Sequence, residues 1–257
     1  MHSLIHAREW VTLPATLYAI QKLVVDVTDS DLLEDLDWII LPVVNPDGYA
    51  WTHTNDRFWR KNRAKGFSIG EWIDCSGVDL NRNFDFHWST ESSGFTCSDL
   101  YHGPEAFSEP ETAAIRDILA LYEPRIALYL DLHSFGSMLL YGFGTGVLPP
   151  NGLLLHVVAV NMAKVIDEVK WESNKDYIVG NVAHVLYEAS GSAMDYAMTA
   201  GAKLAYCFEL PAYNNDDTML GFMVDPDFIE QAGYETWEGI KVGARAAAFY
   251  FGNRSTV

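Results

Sequence analysis

Two residues near the start of the chain have the types and the spacing of metal ligands. His6 and Glu9 are three residues apart and lead into a segment with helical spacing of apolar residues, so one helical turn could direct an imidazole and a carboxylate at the same cation. The spacing alone is a weak signal, because roughly half a match is expected by chance in such a chain, and a second match occurs at His102 and Glu105. Gly and Pro within that second match favour a turn. We therefore expect the first pair to be the metal site.

A third ligand and a proton-transfer group are suggested at the ends of two predicted strands. His133 follows one apolar strand and Glu209 closes another. In a parallel, covered sheet the functional groups collect just past the carboxyl ends of the strands. Either residue taken singly could be structural, but the pair favours a site. A catalytic zinc ion takes three protein ligands and keeps one position open for water, and His133 would complete that set.

The segments that must position these residues alternate between helix and strand. Apolar spacing and turn residues define their limits. Helices are predicted at 13–25, 108–121, 153–169, 193–199 and 226–250, and strands at 38–44, 125–131 and 204–209. This alternation predicts an α/β fold in which a twisted, mixed but mostly parallel sheet is covered by helices on both faces. The chain shows no internal repeat, low-complexity tract or linker, so we expect residues 1–257 to form one domain.

Two short motifs mark the limits of these segments. The sequence from Asn45 to Gly48 is Asn-Pro-Asp-Gly, which indicates a turn after the strand at 38–44. Ser108 and Glu111 have the spacing of a capping box, in which a hydroxyl and a carboxylate bond to the free amides at a helix start. We expect the helix at 108–121 to begin there.

The composition excludes several functions. The 257 residues include 17 Lys and Arg against 35 Asp and Glu, a net charge of −18, so nucleic acid and anionic membrane surfaces are unfavourable partners. Hydrophobic residues make up 49% of the chain, which is typical of a globular protein with a large core. No apolar run reaches the ~18 residues that a transmembrane helix needs. Residues 1–25 lack the pattern of a secretory signal.

Three cysteines leave the redox compartment open. Cys75 and Cys97 enclose a polar segment rich in Gly, Ser and Asn, whereas Cys207 lies in a predicted strand. A bridge that closes this loop would stabilise the fold by about 3 kcal/mol. Three reduced thiols in a cytosolic protein are an equal alternative on composition alone.

Eight short motifs follow one another along the whole chain. They are HAREW at 6–10, NPDGY at 45–49, FWRK at 58–61, GVDLNRN at 77–83, YHG at 101–103, DLHS at 131–134, YEASG at 187–191 and FEL at 208–210. In these motifs the chain resembles the zinc metallocarboxypeptidases of the pancreatic carboxypeptidase A/B type, the M14 family. The resemblance implies the carboxypeptidase fold and a zinc-dependent exopeptidase that hydrolyses the C-terminal peptide bond of peptides and proteins.

The resemblance implies a role for each residue of the metal centre. One zinc ion per chain would be held by His6, Glu9 and His133, the three residues that type and spacing also select. Asp79 would orient His6 by accepting a hydrogen bond from its other ring nitrogen. Glu209 would be the general base, which takes a proton from the attacking water and returns it to the leaving amine.

The resemblance also implies the contacts with substrate. Arg60 would stabilise the oxyanion of the tetrahedral intermediate, a task suited to a permanent cation with several donors. Asn81, Arg82 and Tyr187 would hold the free carboxylate of the C-terminal residue, which makes such an enzyme an exopeptidase. Two further arginines would bind residues more distant from the C-terminus: Arg8 and Arg57.

The residue at the base of the pocket for the C-terminal side chain corresponds to Met194. Forms of the family that prefer Lys or Arg have an acidic residue there, whereas Asp195 falls at a position that is acidic in relatives of either preference. The other positions that resemble pocket lining are small or apolar: Leu140, Gly144, Val182, Leu186, Ala189, Ser192 and Cys207. A buried cation would find no counter-charge among them. We therefore expect a preference for aliphatic or aromatic C-terminal residues.

The resemblance bears on location and on the start of the chain. Cys75 and Cys97 fall where secreted members have a disulfide, which implies an extracellular protein and allows a pro-segment or a protein inhibitor as a further partner. Family members have additional catalytic-domain residues, including sheet strands, before the first zinc ligand. We therefore expect an N-terminally truncated sequence that lacks those strands and leaves a sheet edge open.

Such a truncation keeps a second function open. If the chain start is frayed, His6 and Glu9 would bind zinc too loosely for turnover, and the chain would be a non-catalytic peptide-binding remnant. Zinc content after dialysis would distinguish this remnant from an enzyme. A zinc-dependent deacylase of small acylamino acids, which would use the same set of two His and one Glu as metal ligands, is a third option.

Overall fold

Helices and strands alternate along most of the chain. A computed structural model describes residues 1–66 and 75–252. The helices are α1 (Thr12–Val24), α2 (Asp31–Glu34), α3 (Pro46–Thr54), α4 (Pro110–Tyr122), α5 (Gly152–Val169), α6 (Val182–Val185), α7 (Ala193–Thr199) and α8 (Phe228–Phe251). The strands are β1 (Leu128–Ser134), β2 (Met138–Tyr141), β3 (Ile178–Asn181) and β4 (Leu204–Leu210), and 3-10 helices lie at Leu80–Arg82, Tyr213–Asn215 and Met219–Phe222. Among the described residues, no helix combines the length and the apolar character that crossing a bilayer requires.

The strands form one mixed sheet in the order β1-β4-β2-β3. β1 runs parallel to β4 and β2 runs parallel to β3, whereas β2 and β4 are antiparallel. The predicted α/β architecture with a mixed, mostly parallel sheet is confirmed. The sequence did not indicate β2 and β3, which have four residues each and are too short for apolar alternation to stand out.

Side-chain alternation along β1 and β4 divides the interior into two cores. Leu130 and Leu132 of β1 pack with residues of α1, α5 and α8 on one face of the sheet. Cys207 of β4 packs with residues of α4 and α7 on the opposite face, so helices cover both faces as predicted. His133 and Glu209 belong to this second face by alternation, near the carboxyl ends of their strands.

The first residues of the chain are held between β1 and the segment that precedes α3. The N–H of His2 donates to the carbonyl of Leu130, and its carbonyl accepts from Leu132, both at 3.0 Å. The N–H of Ser3 donates to the carbonyl of Leu41 at 3.1 Å. Ser3 and the two residues after it are fully buried. The chain therefore reaches the predicted metal ligands from a bonded and buried segment rather than a frayed one.

Two predictions near this segment are wrong. Among the residues described, 38–44 forms no regular strand and has a single bridge between Leu41 and His2, because Pro42 has no N–H with which to extend a ladder. The motif that begins at Asn45 starts helix α3 rather than a turn. The side-chain oxygen of Asn45 accepts a hydrogen bond from the N–H of Gly48 at 2.9 Å and so caps the helix.

The capping box predicted at Ser108 and Glu111 is not formed. The Ser108 hydroxyl donates a hydrogen bond to Oε1 of Glu109 at 2.7 Å, and the Glu111 carboxylate accepts one from Asn62 at 3.3 Å. Helix α4 begins at Pro110. Because proline has no N–H to satisfy, it is well suited to a first helical position.

Candidate active site

Three side chains from two distant parts of the sequence meet in one buried cluster. Nδ1 of His6 lies 2.7 Å from Oε1 of Glu9, and Nδ1 of His133 lies 3.1 Å from Nδ1 of His6 and 3.0 Å from Oε2 of Glu9. The ligand atoms all lie within 4.8 Å of one another, and the three residues are buried. Two imidazole nitrogens and a carboxylate that converge in this way fit a zinc ion, whose nitrogen and oxygen ligands lie at about 2.0–2.2 Å.

The backbone around the cluster fixes His6 and Glu9 in place. His6 and Glu9 lie in a turn just before α1, not within a helix as their spacing suggested. The N–H of Ala7 in this turn donates to the carbonyl of Arg60 at 3.0 Å. The N–H of Ser134 donates to Oε2 of Glu9 at 3.2 Å, which joins the turn to the end of β1.

Each histidine of the cluster has a carboxylate at its other ring nitrogen. Nε2 of His6 lies 3.1 Å from Oδ1 of Asp79, and Nε2 of His133 lies 2.7 Å from Oδ1 of Asp131. Burial alone would lower the pKa of His133, but Asp131 and Glu9 raise it well above its usual range. Both rings thus present Nδ1 to the cluster and Nε2 to a carboxylate.

Arg60 places a permanent positive charge beside the cluster. Its Nε and Nη2 lie 3.0 and 2.9 Å from Oδ2 of Asp79, and its Nη1 lies 3.9 Å from Oε1 of Glu9. Burial alone would lower the pKa of Arg60, but Asp79 raises it. Burial alone would raise the pKa of Asp79, but Arg60 and His6 hold it well below its usual range. The guanidinium is therefore charged and fixed in orientation.

Glu209 lines the cavity that contains the cluster. It pairs with His133 in the register of β4 and β1. Burial raises the pKa of its carboxyl to about 8, an effect that His133 opposes and Glu9 strengthens. A carboxyl with a pKa near neutrality is suited to moving protons in either direction.

The predicted carboxylate-binding residues lie together in the same cavity. Arg82 donates from Nη1 to the carbonyl of Asn81 at 2.7 Å and from Nη2 to the hydroxyl of Tyr187 at 3.3 Å. Asp79 accepts a hydrogen bond from the N–H of Asn81 at 3.1 Å, and Oδ1 of Asn81 accepts one from the N–H of Ala193 at 2.7 Å. The bond to Ala193 ties Asn81 to the start of α7, and the bond to Tyr187 ties Arg82 to the segment before that helix. Tyr187 is 47% exposed, which places it at the mouth of the cavity.

The structure separates the two arginines that were predicted to contact distant substrate residues. Arg8 lines the cavity together with Phe222, and its guanidinium lies 4.5 Å from the Phe222 ring centroid. Arg57 is not among the described residues that line the cavity. It donates from Nη1 to the carbonyl of Arg8 at 2.9 Å and from Nη2 to the carbonyl of Phe222 at 2.6 Å. Arg57 thus holds the backbone of Arg8 and Phe222, two residues that line the cavity.

A cavity of about 230 Å³ joins the cluster to an apolar pocket. The residues predicted for this pocket all line it: Leu140, Gly144, Val182, Leu186, Ala189, Ser192, Met194 and Cys207. Asp195 is fully buried and is not among the described lining residues. Its Oδ2 accepts a hydrogen bond from the N–H of Gly144 at 2.8 Å, and burial raises its pKa to about 6.

Four lining residues were missed by sequence reasoning. They are Asp131, Ser134, Phe135 and Phe222. Asp131 had a usable signal, because it is two residues from His133 on a predicted strand and so shares its face. Phe222 had none, since a 3-10 turn far along the chain carries it.

Cys75 and Cys97 form a disulfide, and Cys207 is a buried free thiol. The bridge closes a loop with a sequence separation of 22 residues. The segment that follows Cys75 carries Asp79, Asn81 and Arg82. The disulfide therefore anchors one end of the segment that forms part of the cavity wall.

Comparisons with known proteins agree with this geometry. The family model for zinc carboxypeptidase matches residues 1–239. Carboxypeptidase B of Helicoverpa zea is 52% identical over 250 residues, which cover 96% of this chain and 58% of that protein. The crystal structure of carboxypeptidase A from Helicoverpa armigera has 66% identity and a TM-score of 0.93, and the match covers 97% of this chain and 61% of that chain.

A more distant structure shows the same fold. Bovine thrombin-activatable fibrinolysis inhibitor, solved in complex with tick carboxypeptidase inhibitor, has 30% identity and a TM-score of 0.85, with 97% of this chain and 82% of that chain covered. The chain spans about three fifths of the length of the two Helicoverpa proteins. From the match over most of its length, the chain belongs to the M14 family of zinc carboxypeptidases.

Proposed function

We propose that this chain acts as a zinc-dependent exopeptidase that hydrolyses the C-terminal peptide bond of peptides and proteins and prefers aliphatic or aromatic C-terminal residues. The observation that carries the proposal is the convergence of His6, Glu9 and His133 in a cavity that Glu209 and Arg82 also line. A metal centre, a proton-transfer group and a carboxylate-binding cation are the parts that this hydrolysis requires.

One zinc ion per chain would be held by His6, Glu9 and His133. When bound, zinc supplies Lewis-acid activation of a water molecule and of the scissile carbonyl. Asp79 would orient His6 through its Nε2, since a carboxylate there favours the tautomer with a free Nδ1 lone pair. With three ligands from the protein, the site keeps room for water.

Glu209 is the residue proposed to move the proton. Its carboxylate accepts a proton from the attacking water and then donates it to the nitrogen of the leaving amine. Its pairing with His133 across β1 and β4 holds it beside the metal cluster. The described lining residues include two other carboxylates, Glu9 and Asp131. Glu9 belongs to the proposed ligand set, and Asp131 lies close to His2 and His133, so Glu209 is the better candidate for proton transfer.

Arg60 is proposed to stabilise negative charge on the carbonyl oxygen. Asp79 already fixes its guanidinium at 2.9–3.0 Å. A cation that is oriented before the reaction needs no reorganisation as the charge develops. The same arrangement keeps Arg60 charged although it is buried.

Asn81, Arg82 and Tyr187 would bind the free carboxylate of the substrate. A guanidinium can pair with both carboxylate oxygens, and the neighbouring amide and hydroxyl groups add donors. A substrate that continued beyond this position would leave the buried Arg82 cation unpaired, which is costly. This penalty restricts cleavage to the last residue. Arg8 would contact the residue before it, with Arg57 as its support.

The pocket supports apolar specificity. Met194 is only 3% exposed and lies among small or apolar side chains. An ammonium or guanidinium group would be desolvated there without a counter-charge in the lining. Asp195, the acid next to Met194 in the sequence, is not among the described lining residues and accepts a hydrogen bond from the N–H of Gly144.

The partners and location follow from the same features. Peptide and protein C-termini are the proposed partners, and a protein inhibitor or a pro-segment is a further one, supported by the bovine relative solved with a tick inhibitor. A net charge of −18 disfavours nucleic acid and anionic membranes. The Cys75–Cys97 disulfide supports an extracellular location.

The two alternative functions are less well supported. A non-catalytic peptide-binding remnant would follow from a frayed chain start, whereas residues 1–5 are bonded to their neighbours and largely buried. A deacylase of small acylamino acids would use the same ligands. The half-exposed Tyr187 brings the lining of the cavity to the surface, which favours a peptide that extends out of the cavity over a small enclosed substrate.

Hydrolysis of two N-blocked dipeptides that differ only in a C-terminal Phe or Arg tests the proposal. We expect release of Phe that a zinc chelator abolishes and added zinc restores, and a higher kcat/KM for the Phe substrate. A preference for Arg would refute the apolar pocket. A folded, zinc-loaded protein that binds but does not cleave either substrate would favour the remnant.

A further inference from the structure

We propose that Asp131 is a positioning residue for His133, which its carboxylate holds in the ring tautomer that presents Nδ1 to the metal. The inference rests on the zinc site of the proposed function and adds a residue to it. Asp131 would act through the histidine rather than on the substrate. His6 already has such a carboxylate in Asp79, and Asp131 gives the second histidine a counterpart.

The geometry of β1 places the two side chains together. Asp131 and His133 are two residues apart on the strand, so both project from the same face. Oδ1 of Asp131 lies 2.7 Å from Nε2, while Nδ1, on the other side of the ring, lies 3.0 Å from Oε2 of Glu9 and 3.1 Å from Nδ1 of His6. The 2.7 Å contact is not aligned as a hydrogen bond. Its effect on the proton at Nε2 is therefore mainly the attraction of a nearby negative charge.

A second polar group lies near the same nitrogen but cannot replace Asp131. Nδ2 of Asn81 lies 3.2 Å from Nε2 of His133. The orientation of this amide is fixed, because its Oδ1 accepts a hydrogen bond from the N–H of Ala193 at 2.7 Å. Nδ2 is a donor, so it cannot accept the Nε2 proton. Between the two neighbours, the carboxylate is the group that favours a proton at Nε2.

The environment of Asp131 leaves its charge directed at His133. Asp131 is fully buried, and its Oδ2 has no hydrogen-bond partner among the described residues. His2 lies near the same oxygen, with Nε2 3.3 Å from Oδ1 and 2.7 Å from the hydroxyl of Tyr129. Burial lowers the pKa of His2 to about 4, although Asp131 opposes this. At neutral pH His2 is therefore an uncharged neighbour and does not cancel the carboxylate.

Zinc affinity measured against a chromogenic chelator tests the inference. Carboxylates behind a metal-bound histidine typically contribute 10- to 100-fold to metal affinity, so we expect Asp131→Asn to bind zinc about 10- to 100-fold more weakly than wild type. The matched control is Glu235→Gln, which also removes a fully buried carboxylate but lies on α8, away from the ligands. Replacement of zinc by cobalt(II) adds a spectroscopic signature. We expect a changed visible spectrum for Asp131→Asn and an unchanged one for Glu235→Gln.

A measurement on the wild-type protein covers the case in which Asp131→Asn fails to fold. In the zinc-loaded protein, the proton on Nε2 of His133 should exchange slowly in a proton–nitrogen correlation spectrum, because it faces a buried carboxylate. A rapidly exchanging proton would overturn the inference. So would a folded Asp131→Asn protein with wild-type zinc affinity. Failure of the wild-type protein to bind zinc would refute the proposed function itself and this inference with it.

Discussion

His133 and Glu209 are direct partners in the register of the parallel strands β1 and β4. Alternation directs both side chains to the face of the sheet that carries the cavity. A predicted metal ligand and a predicted general base are thus held side by side by strand pairing rather than by flexible loops. Sites built on strands keep their geometry better than sites built on loops.

Replacement of Glu209 by Gln should abolish most of the activity without loss of zinc. The amide has nearly the same shape but cannot accept a proton from water, and general bases typically contribute about 10²- to 10⁴-fold to a rate. We expect kcat/KM for the Phe-terminated dipeptide to fall by about that factor. Metal analysis after dialysis should give the same zinc content as wild type. Wild-type activity in this variant would remove Glu209 from the proton-transfer role.

Replacement of Met194 by Asp should shift the preference towards basic C-terminal residues. The new carboxylate would lie in the pocket lining and pair with a guanidinium that otherwise has no counter-charge there. We expect the ratio of kcat/KM for the Arg substrate to that for the Phe substrate to rise about 10- to 100-fold. Met194→Asn is the matched control, since it adds polarity without charge. A ratio that rises equally in both variants would show that pocket polarity, not charge, sets the preference.

Replacement of Arg82 by Gln should remove the selectivity for free C-termini. A charge-assisted hydrogen bond contributes about 1.5–3 kcal/mol, so kcat/KM for the free acid should fall at least about 10-fold. The same dipeptide with an amidated C-terminus cannot form the ion pair and should be hydrolysed at an unchanged, low rate. Arg82→Lys keeps the charge and should recover part of the loss. Equal losses on acid and amide would place Arg82 in a structural role instead.

The sequence was sufficient to predict which side chains meet in the buried cluster of His6, Glu9 and His133. His133 and Glu209 stand at the ends of apolar strands, where parallel sheets expose functional groups, and the pair at His6 and Glu9 leads into a helix. These signals are local and periodic, so they can be recognised in the sequence without knowledge of the fold. The turn at His6 was harder to predict, because its conformation depends on the hydrogen bond from the N–H of Ala7 to the carbonyl of Arg60.

Features that depend on distant contacts were not predictable. The substrate contact of Arg57 stays a prediction, and the sequence did not indicate that its guanidinium bonds to the carbonyl of Phe222, which is 165 residues away. The segment at 38–44 has the apolar character of a strand, but Pro42 interrupts its pairing with the chain start. The bond of Arg57 has no sequence signal, since it is decided by which backbone groups meet in the folded chain. Pro42 was a usable signal, because a proline within an apolar run argues against a regular strand.

Glu235 should make stability depend on pH. Its side chain is fully buried in α8, Oε2 accepts a hydrogen bond from Gln231 at 3.1 Å, and Oε1 has no partner among the described residues. Burial raises the pKa of its carboxyl from 4.5 to about 7. Below pH 4 both the folded and the unfolded chain hold this proton. Between pH 4 and 7 the unfolded chain releases it first, so the free energy of unfolding falls as pH rises, by about 3 kcal/mol in all.

Glu235→Gln cannot ionise and should escape this loss. Chemical denaturation of wild type and variant, both with zinc, should give a difference in unfolding free energy that moves in favour of the variant by about 3 kcal/mol from pH 4 to pH 8. Release of zinc at low pH would also change the unfolding free energy. It should affect both proteins equally, because both have the same proposed zinc-binding residues, so the difference between them at each pH excludes it. Glu230→Gln, at an exposed position of the same helix, is the control and should show a constant difference. A constant difference for Glu235→Gln as well would mean that the carboxyl at 235 is hydrated and ionises in the folded chain as it does in the unfolded one.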